Sequence, residues 1–554
     1  MSATSPPQLR KLSGNVHQLF VKDKPFLIRS AEIGNSSMSS ARWMSTVWPK
    51  MVENNVNTLL GSVTWEMVEP REGEFDFAEL DLVLAGAREH GLRLILLWFG
   101  AHKNGQGLYA PEWVKKNPSR FPRAEITQDG VTRTTHTFSV FSPSTYEADA
   151  TAFARLISHL KDVDAEHQTV IMVQVQNEVG ILKDTRDRCQ LAQHTFDQPV
   201  PSSLLTVLRE QWAGMNATFR NNFPHLSSET LRDGGGWAAT FGSSDQTDEL
   251  FMAYHYALSI EAVASKGKLE YDLPMFANAW LRNMDEEEGQ DAAFSGGVRP
   301  GDYPSGGPVE TVLDIWQLFA PSLAFLAPDI YLTDYTKTCQ LYTHRDNALF
   351  IPEQRRDEYG AIRIWEAIGR FNAIATSPFG LDSHTPLLSP FTAHYALLRS
   401  VSPLILDARA RGLPTYGLFF DRFEKGEKDP SPIRTLQIGS WNLKISRSYS
   451  PGHPSPGYGM IIQVKPDSFL GIGEGFQIVF TPTTEVKISG ILAIEEKEVV
   501  DEETGELSTL RRFNGDEVRS GFTMPATKPD MGDFVIESFI PAHTRIALCT
   551  LYTV

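Results

Sequence analysis

TVIMVQVQNE (169–178) and ALFIPEQR (348–355) decide the fold. Each opens as an apolar run without polar alternation, and each closes on polar residues that include a glutamate. A strand apolar at nearly every position is covered on both faces, which is the condition of a parallel sheet with helices packed against it. Six more runs of the same texture stand around these two: PFLIRSAEIG (25–34), VNTLLGSVTW (56–65), LRLILLWFG (92–100), PMFANAWL (274–281), PDIYLTDYT (328–336) and NAIATSPFG (372–380).

The segments between the runs have helical spacing. Phe77, Leu80, Val83, Leu84 and Ala87 share one face and Gly91 supplies a stop, while Ser144 and Glu147 offer a capping box ahead of Phe153, Leu156, Ile157 and Leu160. Eight βα units from residue 25 to about 380 predict an α/β fold, and the count favours a (β/α)8 TIM barrel over a doubly wound sheet. After a last helical stretch, LLRSVSPLILDARARG, the texture changes to short alternating strands such as GMIIQVKP, FQIVFTP and VKISGILAI. These predict a smaller C-terminal antiparallel β-sandwich, dividing the chain into a barrel domain (1–412) and a sandwich domain (413–554). EEKEVVDEETGELSTLRR within it reads as an exposed hairpin.

The composition narrows the partners. With 51 basic against 68 acidic side chains among 554 residues, the net charge of −17 repels phosphate backbones and anionic lipid, so neither nucleic acid nor a membrane surface is expected as a partner. A small neutral ligand is. Cys189, Cys339 and Cys549 form neither a disulfide framework nor a zinc knuckle, and MSATSPPQLRKLSG lacks the apolar core of a secretory leader, so a reducing, cytoplasmic setting is expected. No H-E-x-x-H, P-loop or dinucleotide fingerprint occurs, GIGEG (471–475) reads as a turn, and no metal or organic cofactor is called for. Subunit number stays open, a homodimer included.

In a parallel barrel the working side chains stand at the C-terminal strand ends. Glu178 and Glu353 end the fourth and seventh runs and would face each other across the barrel mouth. Cleavage of a glycosidic bond uses such a pair, one carboxyl protonating the departing oxygen and the other meeting the anomeric carbon. A separation near 5–5.5 Å gives retention of configuration, and about 6.5–9.5 Å admits water and gives inversion. Asn278 and Trp280, two residues apart on the fifth run, share a face and offer a sugar an amide and an aromatic platform. His255 reads as a packed helix residue, and Trp65, Glu66 and Glu112 as structural.

AEIGNSSMSSARW (31–43), WEMVEPREGEFDF (65–77), WFGAHKNGQGLYAPEWVKKN (98–117), VQNE (175–178), FANAWL (276–281) and FIPEQR (350–355) together resemble glycoside hydrolase family 35, in its compact bacterial and fungal branch, within the clan of (β/α)8 retaining glycosidases. The resemblance implies Glu178 as general acid/base, Glu353 as nucleophile and Asn177 as the partner of the sugar 2-hydroxyl. It also implies a sugar contact for Glu32 and, for Tyr331, a hydrogen bond to the nucleophile. AHKNG replaces the family's usual third-strand sugar contacts, leaving Lys103 or Asn104 to take their place, and SPFG lacks the clan's eighth-strand tryptophan, leaving Phe379 or Trp280 as the floor. The expected activity is that of an exo-acting retaining β-galactosidase on oligosaccharides, including plant cell-wall or xyloglucan fragments. β-Glucosaminidase, β-xylosidase and β-glucosidase activities, or sugar binding without catalysis, are the alternatives.

Overall fold

The computed structural model describes residues 5–283, 296–423, 427–448, 457–513, 515–527 and 543–554. The chain begins with an antiparallel meander that the sequence reading did not anticipate: β1 (Gln8–Ser13), β2 (Val16–Val21) and β3 (Lys24–Phe26). The parallel strands follow as β4 (Ser30–Glu32), β5 (Thr58–Thr64) and β6 (Arg93–Lys103). A hairpin of β7 (Arg123–Gln128) and β8 (Val131–Phe138) intervenes before β9 (Val170–Asn177), β10 (Met275–Trp280) and β11 (Phe325–Asp329). These form a six-stranded parallel sheet in the order β11-β10-β9-β6-β5-β4.

β12 (Phe350–Gln354) and β13 (Ala375–Pro378) form a separate parallel pair, and a single parallel bridge stands at each of its borders with that sheet, Ile330 to Gln354 and Glu32 to Phe379. The ladders are therefore six strands plus two, where the sequence predicts one closed barrel of eight.

Burial on both faces explains the unbroken apolar runs. Along β6, Leu94, Leu96 and Trp98 belong to the core between sheet and helices, and Ile95, Leu97 and Phe99 to a second cluster on the opposite face. That second cluster also holds Leu19 and Val21 of β2, so the meander seals the apolar face of the sheet away from water. In the helix Ala78–Glu89 the expected face, Leu80, Val83, Leu84 and Ala87, is buried, and Gly91 follows at φ +67°.

Two local expectations are corrected. The helix before β9 starts earlier, at Pro143, after Ser142, and no side chain caps it, so the Ser144–Glu147 capping box does not form. The sixth parallel strand occupies 325–329 rather than 328–336. Residues 330–334 turn across the sheet's end, and Asp334 accepts from Lys337 N to cap the helix Tyr335–Leu341. Ile330, Tyr331 and Leu332 look β-like in sequence, but their apolar surface serves a loop.

The C-terminal region is β-rich, as expected. β14 (Thr415–Phe419), β15 (Arg434–Ile438), β16 (Trp441–Arg447), β17 (Tyr458–Lys465), β18 (Ser468–Glu474), β19 (Phe476–Pro482), β20 (Ser489–Asp501), β21 (Glu506–Phe513), β22 (Phe522–Met524) and β23 (Ile546–Thr553) build two antiparallel sheets. Their orders are β14-β17-β18-β23-β20-β21 and β15-β16-β19-β22. The charged segment forms the β20–β21 hairpin, whose Glu502 pairs with Arg399 at 3.1 Å. Of GIGEG, residues 471–474 lie inside β18 and not in a turn, and Gly475, at φ +77°, links it to β19; a Cβ on Gly473 would strike the β17 backbone and one on Gly471 the Phe522 ring of β22. The three cysteines are free and buried, and no helix among the described residues is long and apolar enough to cross a membrane.

Candidate active site

At the C-terminal ends of the parallel strands lies a cavity of about 210 Å³ lined by Lys103, Glu178, Trp280, Asp329, Tyr331 and Glu353 together with Asn35, Asn104, Leu281, Leu332, Thr333 and Phe379. Seven of the ten site residues singled out from sequence line it: Glu178, Glu353, Lys103, Asn104, Trp280, Tyr331 and Phe379. Glu32, Asn177 and Asn278 do not line it and are buried.

Asn177 and Asn278 hold the machinery from behind. The Asn177 amide donates to Glu353 Oε1 at 3.5 Å and accepts from Lys103 Nζ at 2.8 Å. Asn278 accepts from the Glu178 backbone N–H at 3.0 Å and donates to Asp329 Oδ2 at 2.7 Å. Tyr331 donates its hydroxyl to Glu353 Oε2 at 2.7 Å, and burial raises its own ionisation far above the working range, so it remains a donor. Arg355, by contrast, turns to Asp357 and not to Glu353.

One oxygen from each of Glu178, Asp329 and Glu353 lies within 4.8 Å of the others, and all three side chains are buried. Burial, reinforced by the Glu353 charge, pushes the Glu178 carboxyl up to about 7. Lys103 works against that rise, its ammonium also resting 4.8 Å from the centroid of the Phe99 ring. Burial raises Asp329 and Glu32 well above the carboxylate range as well. Both Glu32 oxygens, and the side-chain oxygens Asn35 Oδ1, Asn104 Oδ1 and Asp329 Oδ1, are buried without a hydrogen-bond partner among the described residues. Unpaired polar atoms cost stability unless something else satisfies them. Those of Asn35 and Asn104 belong to residues that line the cavity, where hydroxyl groups of a ligand would satisfy them.

The backbone at the end of β9 is held in an uncommon conformation. Gln176 and Glu178 have φ of +62° and +45°, a region that ordinary side chains rarely adopt. Neighbouring groups fix it: Asn104 N donates to Asn177 O, and Gly105 N to Glu178 O. The Gln176 side chain accepts from His102 N at 2.9 Å and donates to Asp149 Oδ2 at 2.5 Å. Asp149, buried on the helix Pro143–Asp164, also receives Trp98 Nε1 and Ala101 N. This network was not legible in sequence, because Asp149 reads as one more polar position on an amphipathic helix.

Asp329 was missed for a different reason. The sequence register put it at the start of the sixth strand, whereas it is the last residue of β11 and therefore stands at the working end. The residues read as structural are so: Trp65 is buried and bonded to Glu69, Glu66 pairs with Lys115, Glu112 with Lys116, and His255 packs among aromatic rings.

Residues 38–223 match the family model of glycoside hydrolase family 42, described as beta-galactosidase, and residues 391–525 match a domain of unknown function, DUF5597. The first match includes Lys103, Asn177 and Glu178 and ends before Glu353. No curated protein matches the chain. Among solved structures, the beta-galactosidase from Bacillus circulans sp. alkalophilus is similar at 14% identity and a TM-score of 0.44, over 69% of this chain and 57% of that one. The beta-galactosidase from the psychrophilic Marinomonas ef1 is similar at 15% and 0.43, over 69% and 60%. The catalytic domain of the beta-amylase from Paenibacillus polymyxa is similar at 11% and 0.44, over 64% and 92%. The chain thus spans less than two thirds of the length of those beta-galactosidases. The family 35 resemblance is corrected. Its strongest motifs, Asn-Glu on one strand and Glu on another, are signals of a whole clan and do not separate its families. The family model that matches residues 38–223 is that of family 42 and not of family 35.

Proposed function

We propose that the chain is an exo-acting, retaining β-galactosidase, with Glu178 as acid/base and Glu353 as nucleophile. The observation that carries this reading is the approach of their carboxyl oxygens to within 4.8 Å, nearer the spacing of direct attack than the wider gap that holds a water. The family 42 match supports galactose as the sugar. In this reading the eight parallel strands work as one (β/α)8 barrel of residues 1–412, and residues 413–554 form the companion sandwich.

The chemistry follows from the two environments. Glu353 receives hydrogen bonds from Tyr331 and Asn177, which favour its ionised form, so it attacks the anomeric carbon. Glu178, raised by burial, begins protonated and gives its proton to the departing oxygen. The glycosyl ester that results removes the charge of Glu353, which lowers the proton affinity of Glu178. Glu178 then takes a proton from water as that water attacks the ester. Asn177 holds the nucleophile, with Lys103 in turn holding the Asn177 oxygen. Asn35, Asn104, Trp280 and Phe379 line the remainder of the sugar site. Glu32, buried away from the cavity lining with its carboxyl raised by burial and by the Glu353 charge, is read as a structural neighbour of Glu353 and Lys103 and not as a direct sugar contact.

Proton NMR of nitrophenyl β-galactoside hydrolysis tests the reading. The first sugar released is expected as the β-anomer, and Glu353→Gly is expected to lose hydrolysis and, with azide, to yield the α-galactosyl azide. Release of the α-anomer, or no turnover of any β-galactoside, refutes it.

A further inference from the structure

The proposed mechanism uses two of the carboxyls gathered at the site and leaves Asp329 without a role. Asp329 lines the same cavity and is 4% exposed, with one of its oxygens inside the 4.8 Å group that it forms with Glu178 and Glu353. Its Oδ2 accepts from Asn278 Nδ2, the amide whose oxygen accepts from the Glu178 backbone. Glu178, Asn278 and Asp329 therefore form a closed triangle across the ends of β9, β10 and β11. Asp329 Oδ1 has no partner among the described residues.

The charges facing Asp329 come from Glu353 on β12, Glu178 just past β9 and Glu32 on β4, with the Tyr331 phenol beyond β11, while Lys103 on β6 acts on Glu32 and Glu178. Tyr342 is near enough to interact with it electrostatically, and its hydroxyl is committed to Pro308 O. Lys103 is the one cation among the described residues that line the cavity. Glu353 accepts from two donors, Tyr331 and Asn177, and Lys103 offers one positive charge against the gathered carboxyls. A second and third carboxylate at this spacing, in a buried site, would be unmatched. Asn278 Nδ2 is satisfied equally by the carbonyl oxygen of a neutral carboxyl.

We propose that Asp329 is a positioning residue for Glu178: it stays protonated in the resting protein and donates its carboxyl hydrogen to the Glu178 carboxylate formed when the leaving group takes the Glu178 proton. This rests on the reading of Glu178 as the acid. The proton count closes. The Glu178 proton leaves with the aglycone, the Asp329 proton remains on Asp329 as a hydrogen-bond donor, and the attacking water returns a proton to Glu178. The arrangement places a donor, and not a negative charge, beside the group that becomes negative in the transition state.

Asp329→Asn and Asp329→Ala in the full chain test this, with an alkyl β-galactoside as the substrate with a demanding leaving group. Asn keeps an acceptor for Asn278 and a donor for Glu178 and cannot ionise, so kcat/KM is expected to stay within about fivefold of the parent, whereas Ala is expected to lose about tenfold or more. The high-pH limb of the profile is expected to stay in place in Asp329→Asn. If Asp329 were a carboxylate, its removal would take a negative charge away from Glu178 and move that limb down by about one pH unit or more, overturning the proposal. Equal losses in both variants, with unchanged circular dichroism, would also overturn it. Infrared spectra give a reading that needs no turnover. A protonated-carboxyl C=O band present near neutral pH and missing in Asp329→Asn supports the proposal, and its absence from the parent refutes it. Failure to hydrolyse any glycoside, which sinks the proposed function, is therefore distinguishable from an ionised Asp329.

Discussion

Replacing Glu178 by Gln is expected to stabilise the protein above neutral pH while removing its acid. In the unfolded chain this carboxyl ionises near 4.5, and in the fold it holds its proton up to about 7. The folded state therefore binds the extra proton across that window, so the stability from this group is complete below pH 4.5 and declines as pH rises toward 7. At about 1.4 kcal/mol for each tenfold change in proton affinity, the whole penalty is at most about 3.5 kcal/mol, an upper bound because Glu353 shares in it. Gln fills nearly the same volume without ionising and escapes the penalty. Spread over the unfolding entropy of 554 residues unfolding together, that free energy corresponds to a rise in Tm of roughly 2–3 °C. Scanning calorimetry of parent and Glu178→Gln from pH 4.5 to 8 is the assay. Their difference should be smallest at the acid end, grow as pH rises and level off above 7. A difference that does not depend on pH, or one that shrinks as pH rises, would show that Glu178 ionises as an ordinary carboxyl, and the acid assignment would lose its physical basis.

Three further outcomes are expected. Glu178→Ala should slow galactosides with poor leaving groups by about 100-fold or more and nitrophenyl galactosides much less, as a Brønsted series would show. In Lys103→Met the high-pH limb of kcat/KM should move upward, because the ammonium that helps Glu178 ionise is gone, and kcat should fall by about tenfold or more as Asn177 loses its anchor. Gly100→Ala would place a Cβ 2.5 Å from both Asp149 Oδ1 and Trp98 Nε1, so it should destabilise the fold by about 1–3 kcal/mol in denaturant titration and lower activity by disturbing the end of β9.

The family assignment shows where motif reading stops. VQNE and FIPEQR end in two glutamates that the fold brings within 4.8 Å of each other, because a glutamate ending a two-face-buried strand stands at the mouth of a parallel sheet. They pointed to family 35, whereas the family model that matches residues 38–223 is that of family 42.

Periodicity by itself determined the parallel strands, the helices between them and the change to antiparallel strands near residue 415, because burial on one face or two writes itself into the alternation of apolar residues. It also placed Glu178, Glu353 and Trp280 at the cavity, whereas Lys103, Asn104, Tyr331 and Phe379, which line it too, came from the family resemblance. Only the tertiary structure decided that Asn177, Asn278 and Glu32 stand behind its wall, that Asp329 joins the two glutamates, and that Asp149 holds Gln176 in a left-handed backbone. The reason is one of range. A strand's pattern records what covers its faces, but electrostatics and hydrogen bonds among buried polar groups join residues tens to hundreds of positions apart, and no local pattern records those distances.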